Sequence, residues 1–432
     1  MLDIKFIREN PSFVQKAAKD KGVDIDINHV LEIDKKHREF QTEVQKLREE
    51  RNRISREKNI EEGKKIKDRL EKEEHALKTV EEELNEWLLK IPNMPKKDVK
   101  VGKDETENEV IKKHKKPTKL TFAPKDHLEL GEQLDIIDVK RAAKVSGTRF
   151  GYLKNEGALL EFALIQLALD TLIKEGFSPV VPPVLLRRSI AIGLGYFQGK
   201  DNDEYYWVSE PNLKSSNPED HPGYYLAGTA EHTIVPMCKD EIFDKKDLPK
   251  RCVGFSSAFR REAGSYGKDT RGILRAHQFD KVEMVSFVSE ENDDKEHEYL
   301  LSLEEKLFQL LEIPYQVVKM CTGDLGFPTA RKYDIEAWIP SQNKYREVTS
   351  TSTTTDFQAR RLNIKYIKDK KPASPTGGSN TKDYVHILNG TAFAIGRTII
   401  AIIENYQEKD GSVVVPEVLR KYLEFSKIVP KT

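Results

Sequence analysis

The chain has 432 residues, enough for two or three domains, and its 72 Lys and Arg balance 72 Asp and Glu, which excludes a global basic field. No run approaches the roughly 20 apolar residues of a membrane span, and the opening Met1-Leu2-Asp3-Ile4-Lys5 lacks the basic-then-apolar order of a secretory signal. Cys238, Cys252 and Cys321 are too scattered for a disulfide framework or a zinc site, so a reducing cytoplasm is the expected setting.

Residues 30 to 91 carry a heptad pattern. Ile33, His37, Phe40, Val44, Leu47, Arg51 and Ile54 alternate steps of four and three. After a break at Asn59 to Gly63 the alternation resumes at Ile66, Leu70, Glu73, Leu77, Val80, Leu84, Trp87 and Ile91. Two long helices folded back through a tight turn into an antiparallel coiled coil fit this spacing. Each would extend roughly 40 to 45 Å. With the turn near residue 62, the polar seam residues Arg51 and Glu73 would lie opposite each other and fix the register. Around the tip, Lys46, Arg48, Arg51, Arg53, Arg56 and Lys58 outnumber nearby acids, whereas the base around Glu81 to Glu86 is acidic. Most heptad pairs of this length are structural or oligomerising. A basic tip on a stiff rod also suits a phosphate backbone, and with no global field such local patches must carry any nucleic-acid contact.

Ile91-Pro92-Asn93-Met94-Pro95 stops the second helix. A polar stretch follows, nearly all basic from Lys112 to Lys116. The reading is a first domain over residues 1–105, its arm at about 30–91, a linker over 106–120 and a second domain over 121–432. In that second domain amphipathic helices and alternating strands mix in no regular βαβ order, and neither a Gly-Lys-Ser/Thr phosphate loop nor a dinucleotide glycine fingerprint is present. The expected fold is α+β, a mixed, mainly antiparallel sheet flanked by helices. Alternation over Gln278 to Val288 leaves one sheet face open to ligand.

Gly176 to Pro183, after a helix over Leu159 to Glu175, is a proline-rich helix–strand joint. Ser209 to Tyr224 is long and polar, with no functional reading. Leu226 to His232 contains Thr229-Ala230-Glu231, a pattern that alone is common and structural. Val253 to Glu262 and Gln278 to Val288 predict two strands joined by a loop holding Gly264, Gly267, Lys268, Arg271, Gly272 and Arg275. Period two puts Arg260 with Glu262 on one face, and Phe279, Lys281 and Glu283 on one face of the return strand. Arginine forks onto phosphate, a carboxylate accepts from an exocyclic amine, and an aromatic ring underlies a base. Glu347-Val348-Thr349-Ser350 offers a carboxylate and a hydroxyl, hard oxygen donors of the kind magnesium prefers. In Asn389 to Arg397, Gly396 lets a ligand approach the backbone. Arg397, entering an apolar helix over Thr398 to Tyr406, needs an anionic partner such as phosphate.

These segments together resemble the signature motifs of class II aminoacyl-tRNA synthetases, and Ser265 to Gly272 with Thr229-Ala230-Glu231 resembles the seryl branch. The resemblance implies ATP and L-serine as substrates, seryl-adenylate and pyrophosphate as first products, and transfer to the 3′-terminal adenosine of tRNA(Ser). Whether tRNA(Sec) is charged too stays open. Arg260, Glu347 and Arg397 would be catalytic. The ATP set would be Arg260, Arg261, Glu262, Ala276 through its backbone, Phe279, Glu347, Val348, Thr349, Ser350 and Arg397. Arg271 and Arg275 would reach the outer phosphates or the acceptor end. Thr229, Ala230, Glu231, Arg260, Glu283, Asn389 and Thr391 would hold serine. Glu347 and Ser350 would hold Mg²⁺, with no zinc. Arg48, Arg53, Arg56 and Lys58 would meet tRNA, and Gly176 to Pro183 would build a homodimer interface. The family's cysteine and asparagine beyond Ser350 are replaced within Thr351 to Thr355, which puts the packing there in doubt. Two alternatives remain: a relative loading a carrier protein, against which the complete heptad pair argues, and a scaffold with a retired site, against which intact Arg260, Glu262, Glu347 and Arg397 argue.

Overall fold

The computed structural model describes residues 1–57, 59–197, 203–208, 223–262, 271–369 and 381–431. They fall into two compact units, Met1–Pro95 and Lys96–Thr432. Lys58, the loop residues 263–270 and all but the last two residues of Ser209 to Tyr224 lie outside the described set.

The first unit is helical: α1 (Ile4–Glu9), α2 (Pro11–Asp20), α3 (Ile27–Glu57) and α4 (Ile60–Leu89). The two short helices carry no heptad signal. Arg8 pairs with Asp34 of α3 at 3.2 Å, and the Gln15 amide both donates to Ile25 O and accepts from Ile27 N. Helices α3 and α4 are the expected hairpin, each about 45 Å long. Ile33, Val44, Leu47 and Ile54 are buried on one, and Ile66, Leu70 and Leu84 on the other.

The turn is tighter than the sequence suggested. Asn59 already caps α4, its side chain accepting from Glu62 N, and Gly63 lies inside the helix facing Ile54. Leu47 and Leu70 meet in the same cluster. Both pairings centre the hairpin between residues 58 and 59, so Ile66 rather than Glu73 lies across from Arg51. The cross-helix ion pairs are instead Arg48–Glu74 at 2.8 Å and Arg69–Glu43 at 2.6 Å.

The second unit is built on eight strands: β1 (Glu109–His114), β2 (Ser178–Val180), β3 (Lys250–Phe259), β4 (Gln278–Val288), β5 (Tyr315–Lys319), β6 (Arg331–Ile339), β7 (Lys344–Thr353) and β8 (His386–Ala394). Their order is β1-β5-β6-β7-β8-β4-β3-β2, antiparallel throughout except for the β2–β3 pair. The polar stretch read as a linker therefore contains an edge strand. Its lysines do not prevent this, because an edge strand needs no buried face. Residues ahead of it are also tied down. Lys96 N donates to Ala330 O, Asp98 pairs with Lys319 and Arg331, and Val99 packs with Val318, Met320 and Leu325.

Three long helices, α5 (Asn155–Lys174), α6 (Asp293–Leu310) and α7 (Ile395–Asn405), supply Leu160, Leu164, Leu303, Phe308, Ile399 and Ile403 to one core. From the sheet, Val282, Met284, Ile335 and Phe393 join them. The intervening Lys281 and Glu283, and Asn389 and Thr391 on β8, line a cavity instead. Period two thus separates core from site, as the alternation predicted. Among the described residues no helix is long and apolar enough to cross a membrane.

Candidate active site

The cavity, about 360 Å³, sits on β4, β6, β7 and β8 with the start of α7 and the segment 273–276 at its edge. Arg397, third residue of α7, organises one part. Its Nη1 donates to Glu347 Oε2 at 2.9 Å and to Glu347 O at 3.1 Å, and its Nε donates to Leu274 O at 3.3 Å. One guanidinium thus joins helix, sheet and loop. Burial would raise the Glu347 carboxyl, but Arg397 and then Lys332 overcome it and hold the group at about 2.

Glu347, Val348, Thr349 and Ser350 all line the cavity. A regular strand would send Glu347 and Ser350 to opposite faces. The β6–β7 register instead slips by one residue, from Ile335–Thr349 to Glu336–Glu347, and this bulge turns both side chains inward. Glu262 also departs from the strand geometry expected of it. Strand β3 ends at Phe259, and Glu262 has a φ of 51°, so it reaches the cavity from a left-handed loop position rather than by alternation. There it pairs with Arg275 at 3.3 Å.

Arg260 lines the same space, its Nε donating to Gly228 O at 3.1 Å and its guanidinium 5.6 Å from the centre of the Phe279 ring. Ala276 lies alongside. Arg261 and Arg271 do not: both are exposed and outside the lining, and the Arg261 amide donates to Glu204 O.

A second part of the cavity is buried and acidic. Thr229, Glu231, Glu283, Asn389 and Thr391 line it. Tyr196 Oη donates to Glu231 Oε1 at 3.1 Å and Gln358 Nε2 donates to the same oxygen at 3.0 Å. Burial lifts the Glu231 carboxyl to about 7, with Glu283 adding to the rise and Gln358 opposing it. Lys281 Nζ lies 2.7 Å from Glu283 Oε2, and Thr391 Oγ1 donates to that oxygen at 3.3 Å. Ala230 faces away, fully buried among apolar neighbours.

Tyr196, Lys332, Asp324 and Gln358 were not singled out from sequence. Tyr196 and Gln358 belong to no motif and become legible only once Glu231 needs donors. Lys332 and Asp334 alternate on β6, a period-two signal that could have singled out Lys332, which lines the cavity.

A family model of the class II tRNA synthetase core domain for G, H, P, S and T matches residues 206–406, and one of the seryl-tRNA synthetase N-terminal domain matches residues 1–95. A serine–tRNA ligase of Dictyoglomus turgidum is 44% identical over the whole of both chains. The chain belongs to the serine–tRNA ligase family. The seryl-tRNA synthetase of Pyrococcus horikoshii, solved with ATP, superposes with a TM-score of 0.88 at 40% identity, covering 100% of each chain. The cytoplasmic serine–tRNA ligase of Naegleria fowleri, solved with AMP, gives 0.87 at 29% identity, covering 100% of this chain and 99% of its own. The N-terminal family match spans the helical hairpin, the core match spans most of the residues lining the cavity, and each superposition covers both.

Proposed function

We propose that this serine–tRNA ligase makes seryl-adenylate and charges tRNA(Ser) in the cavity described, through the residues that line it. A serine carboxylate oxygen attacks the α-phosphorus of ATP and pyrophosphate leaves. A hydroxyl of the 3′-terminal adenosine then attacks the seryl carbonyl, and AMP leaves. No protein nucleophile is required. The observation that carries the reading is one cavity lined by Arg260 and Arg397 together with a buried acidic recess at Glu231 and Glu283.

Arg260 would bridge the α-phosphate and the serine carboxylate, and Arg397 would offset charge on the polyphosphate, a preorganised electrostatic stabilisation. Phe279 offers its ring face to the adenine, with Glu262 accepting from the exocyclic amine and Ala276 bordering the base. Val348 and Thr349 complete the ATP wall. Glu231 meets the serine ammonium beside Thr229. Glu283 accepts from the serine hydroxyl, with Asn389 and Thr391 closing the recess; an analogue lacking the hydroxyl would leave these groups unpaired.

Glu347 and Ser350 fit Mg²⁺, since one is an ionised carboxylate and the other a hydroxyl directed into the same cavity. Among the described residues no three acidic, histidine or cysteine side chains cluster for a metal. The ion would therefore depend on phosphate oxygens and water for its remaining ligands, and it would supply charge neutralisation on the phosphates.

The hairpin is read as the tRNA arm. Arg53 and Arg56 are exposed near its tip, and Arg48 is held beside Glu74. The enzyme is read as a cytoplasmic homodimer, supported by an apolar face on α5, where Leu159 and Phe162 are exposed, and by Val181 just past β2.

Replacing Arg260 with Ala should abolish serine-dependent ATP–pyrophosphate exchange while the melting temperature stays within a few degrees. Exchange near the parent rate would reject the role.

A further inference from the structure

The acidic recess brings together more carboxyl groups than a single serine ammonium can balance. Glu231 and Glu283 are 3% and 2% exposed, and Glu304 of α6 is fully buried behind them, its carboxyl pushed well up by burial. Ionised carboxylates buried in one recess are costly unless a cation accompanies them. Lys281, itself buried, supplies that cation from β4. Its Nζ lies 2.7 Å from Glu283 Oε2 and 3.4 Å from Thr229 Oγ1.

The detail that matters is which oxygen it takes. Both described contacts to Glu283, from Lys281 and from Thr391, fall on Oε2. Oε1 is left as the acceptor for a ligand.

We infer that Lys281 is a specificity-determining positioning residue, fixing Glu283 so that Oε1 faces the amino-acid side chain and rewards a hydroxyl there. This rests on the reading of the recess as the serine pocket. An amino acid without a hydroxyl is rejected because it leaves a fixed, charged acceptor unpaired. Once Glu283 is free to rotate, that penalty disappears.

The test is ATP–pyrophosphate exchange by the full-length enzyme with L-serine and with L-alanine, comparing kcat/KM in each variant. K281M should raise the serine KM, leave the ATP KM unchanged, and lower the serine-over-alanine ratio roughly tenfold to a hundredfold. K281R should restore part of the ratio. In an E283Q background, K281M should lower the ratio no further, since the residue acts through Glu283. K281Q, which keeps the volume and a donor, provides the same reading should K281M not fold. A parent-like ratio in the folded Lys281 variants, or an equal further loss in the E283Q background, overturns the inference. A parent-like ratio in E283Q alone overturns instead the serine reading of the recess.

Discussion

Two carboxyls of the same cavity are displaced in opposite directions, and the cause differs for each. Glu231 is raised to about 7 mainly by burial, with hydroxyl and amide donors that only partly offset it. Glu347 is held at about 2 because Arg397 and Lys332 outweigh the same burial. Above pH 7 the free enzyme presents Glu231 as a carboxylate; below it the group is neutral and no longer attracts an ammonium. The serine kcat/KM should therefore fall about tenfold per pH unit below 7, because this parameter follows the free enzyme. The ATP KM should stay flat between pH 6 and 8, where Glu347 remains ionised. Exchange assays at pH 6, 7 and 8 check both, and E231Q should lose the pH dependence of the serine kcat/KM. At this scale the sequence was informative about which residues converge, since Arg260, Glu262, Phe279, Glu283 and Arg397 all line the cavity. It was silent about partners from outside the motifs, such as Gln358, because a buried donor is defined by what it faces. The threonines that replace the family's cysteine and asparagine prove to be hydrogen-bonded: Thr351 Oγ1 donates to Asn389 O at 2.8 Å and Thr353 Oγ1 to Asp293 at 2.6 Å.

Among the elements, the hairpin and the central sheet were legible for the same reason. A heptad repeat over some sixty residues and an alternation over eleven each leave a periodic burial demand that only one element type meets. What periodicity does not encode is where it is interrupted. The helical restart at Asn59 moved the hairpin's centre by a few residues and separated Arg51 from Glu73, because a good cap followed by tolerated Gly63 needs no longer loop. The early end of β3 likewise turned an expected strand position, Glu262, into a loop position. The hairpin's proposed duty can be isolated from the cavity, since every residue lining the cavity belongs to Lys96–Thr432. Deleting residues 33–90 should spare serine-dependent pyrophosphate exchange and abolish charging of tRNA(Ser). Unchanged charging would remove the arm from tRNA recognition.

For the whole molecule, the family and the α+β architecture followed from motifs far apart in the chain, and the comparisons agree over the full length. The division at Pro95 was less visible. Residues 96–120 are polar enough to read as a linker, yet they supply an edge strand and a row of ion pairs, because edge positions tolerate charge. The proposed assembly state depends on α5. Phe162 is 65% exposed and Val181 is 89% exposed, and large apolar side chains left bare call for cover. Phe162→Glu should convert a dimer into a monomer by light scattering while the isolated chain keeps its helix content. A parent-like mass for that variant would place the contact elsewhere.

The extra residue carried by β7 at Val348 has a consequence for anyone who would redesign this enzyme. Smoothing that strand into an ideal ladder would strengthen its pairing and, by the arithmetic of alternation, rotate either the acid or the hydroxyl of the proposed magnesium pair out of the pocket. A stability-driven optimisation would score the change as an improvement. The proposed magnesium pair depends on an irregularity, so a sturdier sheet and a working one are different design targets.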